Sequence, residues 1–303
     1  MNRQETGRGI ALSVAGTTLF ALLSVYTRML HPLDGLDIFA WRIVWTVPGA
    51  LLLVVLRGRG AQLWQLLGAA VCNPWRGLML LATSALLGAQ LWLFMWAPLH
   101  GRVLEVSLGY FLLPLSMVLV GRFYYRERLV PLQWLAVGCA AVGVAHELWV
   151  THAFSWPTLL VAAGYPPYFV LRRKLGGDSL ATFALEVLLL LPAAVPIIAL
   201  SAGAQAALRH PLLWALLLPG LGALSTAALA SYLKASRLLP MALFGILGYV
   251  EPVLLVVFSV TLLGESLSLE QLGTYVPIWM AVIVTAVHSV LLLREPDGAR
   301  HIG

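Results

Sequence analysis

Apolar residues run along this chain in long blocks, separated by short stretches that carry nearly all of its charge. A helix needs about 20 mostly apolar residues to cross the hydrocarbon of a bilayer. Ten blocks come near that length: 9–30, 36–56, 77–97, 103–123, 131–149, 156–171, 180–200, 212–233, 242–263 and 271–293. The sixth is short and holds Pro166 and Pro167. Connections are short except at 57–76, where Trp64, Leu67 and Trp75 suit a small amphipathic helix lying at the interface. The first block follows Arg3 and Arg8, as in a secretory signal, but it exceeds an h-region of about 7–15 residues and reads as a retained first helix. The pattern predicts an all-α integral membrane fold of ten transmembrane helices.

Composition strengthens that reading. Hydrophobic residues make up 60% of the chain and charged residues 11%. A soluble domain carries about 25% charged residues, because it must cover its surface with polar groups. The net charge of +6 raises nucleic-acid binding as a question. The basic residues stand in ones to threes between apolar blocks, with no basic face interleaved with aromatics, which argues against a nucleic-acid partner. They read instead as topology signals. Of the 19 Lys and Arg, only Arg28, Arg102 and Arg209 fall on the outer side if the N-terminus is cytoplasmic. Arg42 lies inside the second block, and the rest fall on the inner side, as the positive-inside rule requires. The expectation is a multi-pass protein of the cell inner membrane with both termini cytoplasmic.

The chain also repeats itself. Around the fourth block it reads Gly109-Tyr110, Pro114, Glu127 and Gln133; around the ninth, Gly248-Tyr249, Pro252, Glu265 and Gln271. The proline, glutamate and glutamine pairs share one offset of 138 residues, and the Gly-Tyr pairs need a one-residue gap. A duplicated unit of five crossings places its second copy upside down, the arrangement of many secondary transporters. The predicted organisation is two inverted five-helix repeats, 1–150 and 151–303, together forming one membrane domain.

These motifs resemble a known family. The Gly-Tyr-Phe-x-x-Pro run at 109–114, Arg126-Glu127-Arg128-Leu129, and Gly248-Tyr249-x-Glu251-Pro252 followed by Gly264-Glu265 are similar to the EamA family of the drug/metabolite transporter superfamily. His100-Gly101, the Glu105–Pro114 segment and Arg42 within Asp37-Ile38-Phe39-Ala40-Trp41-Arg42 resemble the RarD branch more narrowly. The resemblance covers nearly the whole chain and implies a ten-helix inner-membrane permease. Two departures stand out. RarD-like sequences usually place a histidine before the arginine, where this chain has Trp41, and a Ser-Phe-Gly-like stretch where it has Gly164-Tyr165-Pro166-Pro167-Tyr168. Both positions are candidates for a central cavity.

Charge inside a bilayer asks for a reason. Glu251, in the ninth block beside Tyr249 and Pro252, either binds a cationic group or coupling proton, or bonds a neighbouring helix as a neutral acid. Pro252 should loosen the preceding turn. Arg42 either holds an anionic group, snorkels to the interface, or pairs with Asp37 or Glu105. Glu105 is either a gating or coupling residue or a favourable charge at a helix start. Ser107, Tyr110, Tyr249, Trp41 and Trp92 complete the candidate substrate-binding set. Glu186 is expected to pair with Arg173 or Lys174, and His146 and His288 to lie at the interface. Cys72 falls in a predicted loop and Cys139 inside an apolar block, in no metal-binding or disulfide spacing.

The leading function is a secondary transporter moving a small organic solute by alternating access. No Gly-x-x-x-x-Gly-Lys-Ser/Thr run is present for ATP. The alternative is a multipass membrane enzyme acting on a lipid-like substrate. It finds neither a His-Glu-x-x-His pattern, since His146-Glu147 is followed by Val150, nor a Gly-x-Ser-x-Gly elbow. The expected partners are a small-molecule substrate and the lipid bilayer, with no cofactor and no metal. Nothing in the sequence sets an oligomeric state.

Overall fold

Capping residues set several helix starts. The fold, taken from a computed structural model, is described over residues 3–152, 154–263 and 269–294. Helix α1 spans Arg3–Tyr26 and α2 Gly35–Leu56. Asp34 opens α2 by accepting from the Asp37 amide at 2.8 Å, one arm of a capping box that buries Asp37. The long connection folds as the short helix α3, Gly60–Cys72, which leaves Trp64 exposed and buries Leu66. Cys72 is therefore the last residue of a helix rather than a loop residue, because the 13-residue amphipathic turn runs on to Asn73. Then come α4 (Pro74–Leu99), α5 (Val103–Leu119) and α6 (Pro131–Thr151).

The second half begins with α7 (Trp156–Leu175), which ends at Gly176 with φ near +68°, a conformation glycine adopts freely. Asp178 caps α8 (Ser179–Leu188) through the amides of Leu180 and Ala181. Helices α9 (Leu191–Leu200) and α10 (Ala202–Ala207) precede α11 (Leu218–Leu238). Helices α12 (Met241–Leu247), α13 (Val250–Leu263) and α14 (Leu269–Arg294) complete the chain.

Among the described residues, eight helical stretches are long and apolar enough to cross a membrane. The predicted sixth and ninth helices are the two that do not qualify, for different reasons. The sixth, α7, ends on Arg172, Arg173 and Lys174 and holds Pro166 and Pro167. The ninth is broken between α12 and α13 at Gly248-Tyr249. There the amides of Gly248 and Tyr249 reach only three residues back, to Gly245 O at 2.8 Å and Ile246 O at 3.1 Å. Pro252 has no amide to offer the Gly248 carbonyl, which accepts instead from Glu251 N at 3.3 Å. Glu265 and Ser266, in the segment expected to mark a second repeat, lie outside the described residues.

Helix packing places α1 along α11, α6 along α14, and α5 between α7 and α12. Close approach needs small residues. A Cβ on Gly109 would come within 2.9 Å of the Thr158 carbonyl oxygen on α7, and one on Gly245 would meet Pro114 O of α5 at the same distance. Two sequence expectations change here. Glu186 is fully buried and bonds Arg172, while Arg173 turns to the Ser236 and Leu239 carbonyls. Consecutive helical residues point about 100° apart, so only one of the three cations faces α8. His288 is buried within the bundle rather than interfacial, since α14 continues past it to Arg294.

Candidate functional site

A cavity of about 380 Å³ lies among helices α1, α2, α4, α5, α7, α11 and the α12–α13 break. Helix α2 supplies Arg42, α5 supplies Ser107 and Tyr110, α7 supplies Tyr165, Tyr168 and Phe169, α11 supplies Tyr232, and the α12–α13 break supplies Gly248, Glu251 and Pro252. Phe20 and Phe94 add to an aromatic wall. Arg42 is buried, and its Nε donates to Ser225 Oγ of α11 at 2.9 Å. No described carboxylate lies within ion-pair distance of it. Arg42 and Glu251 line the same cavity, and no ion pair joins them. The Tyr110 and Tyr165 rings stand 6.2 Å apart. The site thus offers one cation, Arg42, two carboxylates, Glu251 and Glu147, and several phenols on an otherwise largely apolar surface.

The cavity is lopsided. Its lining continues past Ser107 to Leu104, Glu147, Gln271 and Tyr275, near the α5–α6–α14 end of the bundle. Thr274 donates to Glu147 at 2.7 Å there, and His146 Nδ1 lies 3.0 Å from the same hydroxyl. The opposite end of the bundle is held together by hydrogen bonds. Glu127 accepts from the Met241 and Ala242 amides at 2.7 and 2.8 Å, so a carboxylate caps the start of α12. Arg173 Nη2 donates to Ser236 O and Leu239 O, both at 2.6 Å, and its guanidinium lies 4.9 Å from the centre of the Tyr125 ring.

No family model matches the chain. The chain is 50% identical to the Chloramphenicol-sensitive protein RarD of Pseudomonas aeruginosa, over 96% of this chain and 97% of that one. The chain belongs to the RarD family. An uncharacterized transporter of Haemophilus influenzae is 36% identical over 94% of this chain and 95% of its own length. Protein RarD of Escherichia coli is 27% identical over 97% and 99%. A crystal structure of a protein only 17% identical matches with a TM-score of 0.68, covering 94% of this chain and 98% of that chain, which speaks for the fold alone.

As a RarD-like membrane permease, the chain brings only part of the sequence-derived set together. Arg42, Ser107, Tyr110 and Glu251 share the cavity. Tyr249 does not. It is buried at the α12–α13 break against residues of α5, α6 and α14, and its hydroxyl donates to the Phe111 carbonyl at 2.9 Å. Trp41 turns away from the cavity as well. Its indole donates to Ala204 O at 3.2 Å and packs edge-on to Trp214. Trp92 packs on Trp96 outside the wall. Glu105 sits at the α5 start, bonded by Arg102 at 2.9 Å and by Ser155, and lies off the lining. Arg42 pairs with neither Asp37 nor Glu105, since each of those is held at its own helix cap. Phe169 and Tyr232 are wall residues that the sequence did not single out. Tyr165 and Tyr168 were marked only as a departure from the RarD pattern.

Proposed function

We propose that this protein is a secondary transporter that carries a small organic solute across the cell inner membrane by alternating access. The observation that carries the reading is the pair of opposite charges, Arg42 and Glu251, held apart in a cavity inside an apolar helical bundle. Charge at membrane depth is costly unless paired or wetted. A cavity that keeps a cation and a carboxylate separate leaves both for solute, water or a coupling proton. Its volume falls within the range of small-molecule sites, about 300–1,000 Å³.

The reading includes ten crossings in two inverted repeats, with α7 and the α12–α13 pair as the sixth and ninth. Matched helix contacts support it. If α1 corresponds to α7, α2 to α8–α9, α4 to α11, α5 to α12–α13 and α6 to α14, contacts come in equivalent sets. Helix α1 meets α11 as α7 meets α4, and α5 meets α7 as α13 meets α1. Helices α5 and α12, and α6 and α14, pair with their own counterparts, as elements beside a two-fold axis do. The distribution of basic residues supports a cytoplasmic Glu127–Met241 end, with the cavity reaching outward. Relatives named as transporters give the membrane-enzyme alternative no support.

Uptake into proteoliposomes tests the proposal, with a panel of amino acids, amphipathic drugs and related metabolites. The expected result is saturable transport of at least one class. Glu251→Gln should abolish it or change its pH dependence, and Arg42→Gln should weaken it, with both variants folded. Wild-type rates and pH profile in both variants would remove these residues from the site. No uptake of any class would leave the transporter reading without its activity.

A further inference from the structure

A second hollow, of about 650 Å³, opens on the flank of the bundle between α1, α2, α11 and the start of α8, and shares no lining residue with the central cavity. Its rim is basic. Arg8 comes from α1, Arg57 and Arg59 from the end of α2, and Lys234 from α11. The carboxylate beside them, Asp178, already lies 3.7 Å from Arg59 Nε. Arg8, Arg57 and Lys234 have no ion-pair partner among the described residues. Below this rim the walls are mostly apolar, with Thr226 and Ser231 the hydroxyls on α11. Leu12 and Leu52 stand on either side of Ala223 and Ala227, whose short side chains leave a furrow along α11. Leu52, Ala223 and Ala227 are exposed in the protein and face the hydrocarbon once it is in a membrane.

We infer that this hollow binds one anionic phospholipid, with its phosphate among Arg8, Arg57 and Lys234 and an acyl chain in the α11 furrow. Two features point to a lipid. The excess of positive charge calls for an anion, and basic pockets between transmembrane helices on the cytoplasmic side are where anionic headgroups bind. The charge also caps one end of an apolar trough of membrane depth, so the occupant must be polar at one end and hydrocarbon at the other. In the orientation proposed above, the rim lies at the inner leaflet. The site bridges α1 and α2 of the first half to α11 of the second. A bound lipid therefore joins the two halves on this flank.

Native mass spectrometry of the detergent-purified, delipidated full chain tests this, with phosphatidylglycerol and phosphatidylcholine of matched chains. Each basic group near the surface contributes about fivefold to binding an anionic lipid, so a variant with Arg8→Gln, Arg57→Gln and Lys234→Gln should bind phosphatidylglycerol roughly 100-fold more weakly. A control with Arg76→Gln, Arg126→Gln and Arg128→Gln removes three exposed cations elsewhere and should bind as wild type does. If the triple variant does not fold, Arg57→Gln alone should still show about a fivefold loss. The inference fails if the control loses as much as the triple variant, or if phosphatidylcholine binds equally well. It also fails if inorganic phosphate displaces the lipid at matched concentration, since that would mark a plain anion site.

Discussion

Replacing Arg172 by methionine should cost this protein several kcal/mol, and the structure says why. Arg172 and Glu186 are 1% and 0% exposed and are in direct contact. Arg172 Nη2 also donates to Ser179 O at 2.7 Å, and Tyr168 donates to Glu186 Oε2 at 3.3 Å. Ser84 on α4 reaches the Glu186 backbone carbonyl at 2.7 Å, so three helices meet at the pair. Removing one partner leaves an uncompensated buried charge, a loss of about 3–5 kcal/mol. Arg172→Met or Glu186→Leu alone should each fall in that range. Removing both restores neutrality and adds apolar packing. The Ser179 carbonyl then loses a bond worth about 1 kcal/mol. The double variant should therefore lie within about 2 kcal/mol of wild type. Equilibrium unfolding in mixed micelles with increasing dodecyl sulfate, followed by tryptophan fluorescence, gives all four stabilities. Singles within about 1 kcal/mol of wild type, or a double variant as poor as the two singles added, would refute the argument.

Three further outcomes follow from other contacts. Glu127→Gln keeps one carbonyl oxygen where two carboxylate oxygens now serve Met241 and Ala242, losing about 1.5–3 kcal/mol; amide exchange at those two residues should quicken, and unchanged exchange would contradict it. Gly245→Ala places a Cβ 2.7 Å from Met117 Cβ and 2.9 Å from Pro114 O, so α12 must back away from α5 at about 1–3 kcal/mol, read by the same unfolding assay; a neutral effect would show that the contact is looser than described. Tyr249→Phe removes one hydrogen bond to Phe111, about 0.5–1.5 kcal/mol, and should leave the transported solute's affinity unchanged; a tenfold affinity loss would return Tyr249 to the site.

Charge was the most legible signal in this sequence. Arg42 and Glu251 stand out because each interrupts an apolar block, and both line the cavity. The small helix at Gly60–Cys72 was also legible, since its tryptophan and leucines sit between basic residues in a long connection. Phe169 and Tyr232 were not legible, because a cavity wall and a lipid-facing wall can both be apolar and helical periodicity does not separate them. Tyr249 shows a different failure. Matching it to Tyr110 required a one-residue gap. The ungapped offset pairs Tyr249 with Phe111, whose carbonyl it bonds, and pairs Tyr110 with Gly248, which shares the cavity wall. Glu186 failed through helical phase, since three adjacent cations offered three directions and only Arg172 faced it.

Alternating access is the central claim, and sided labelling of one cavity cysteine tests it most directly. With Cys72 and Cys139 replaced by serine, Ser107→Cys is placed on the cavity wall. Membrane-impermeant thiol reagents are applied to sealed vesicles from either side. A second form adds Glu127→Cys and Met241→Cys, joined by a short thiol crosslinker across the closed end before labelling. The account expects Ser107→Cys to react from both sides in the free protein. Once the closed end is locked, it should react only from the outer side, and solute uptake should stop. Labelling from one side alone in both forms, or labelling and uptake that ignore the crosslink, would contradict a cavity that opens to each side in turn.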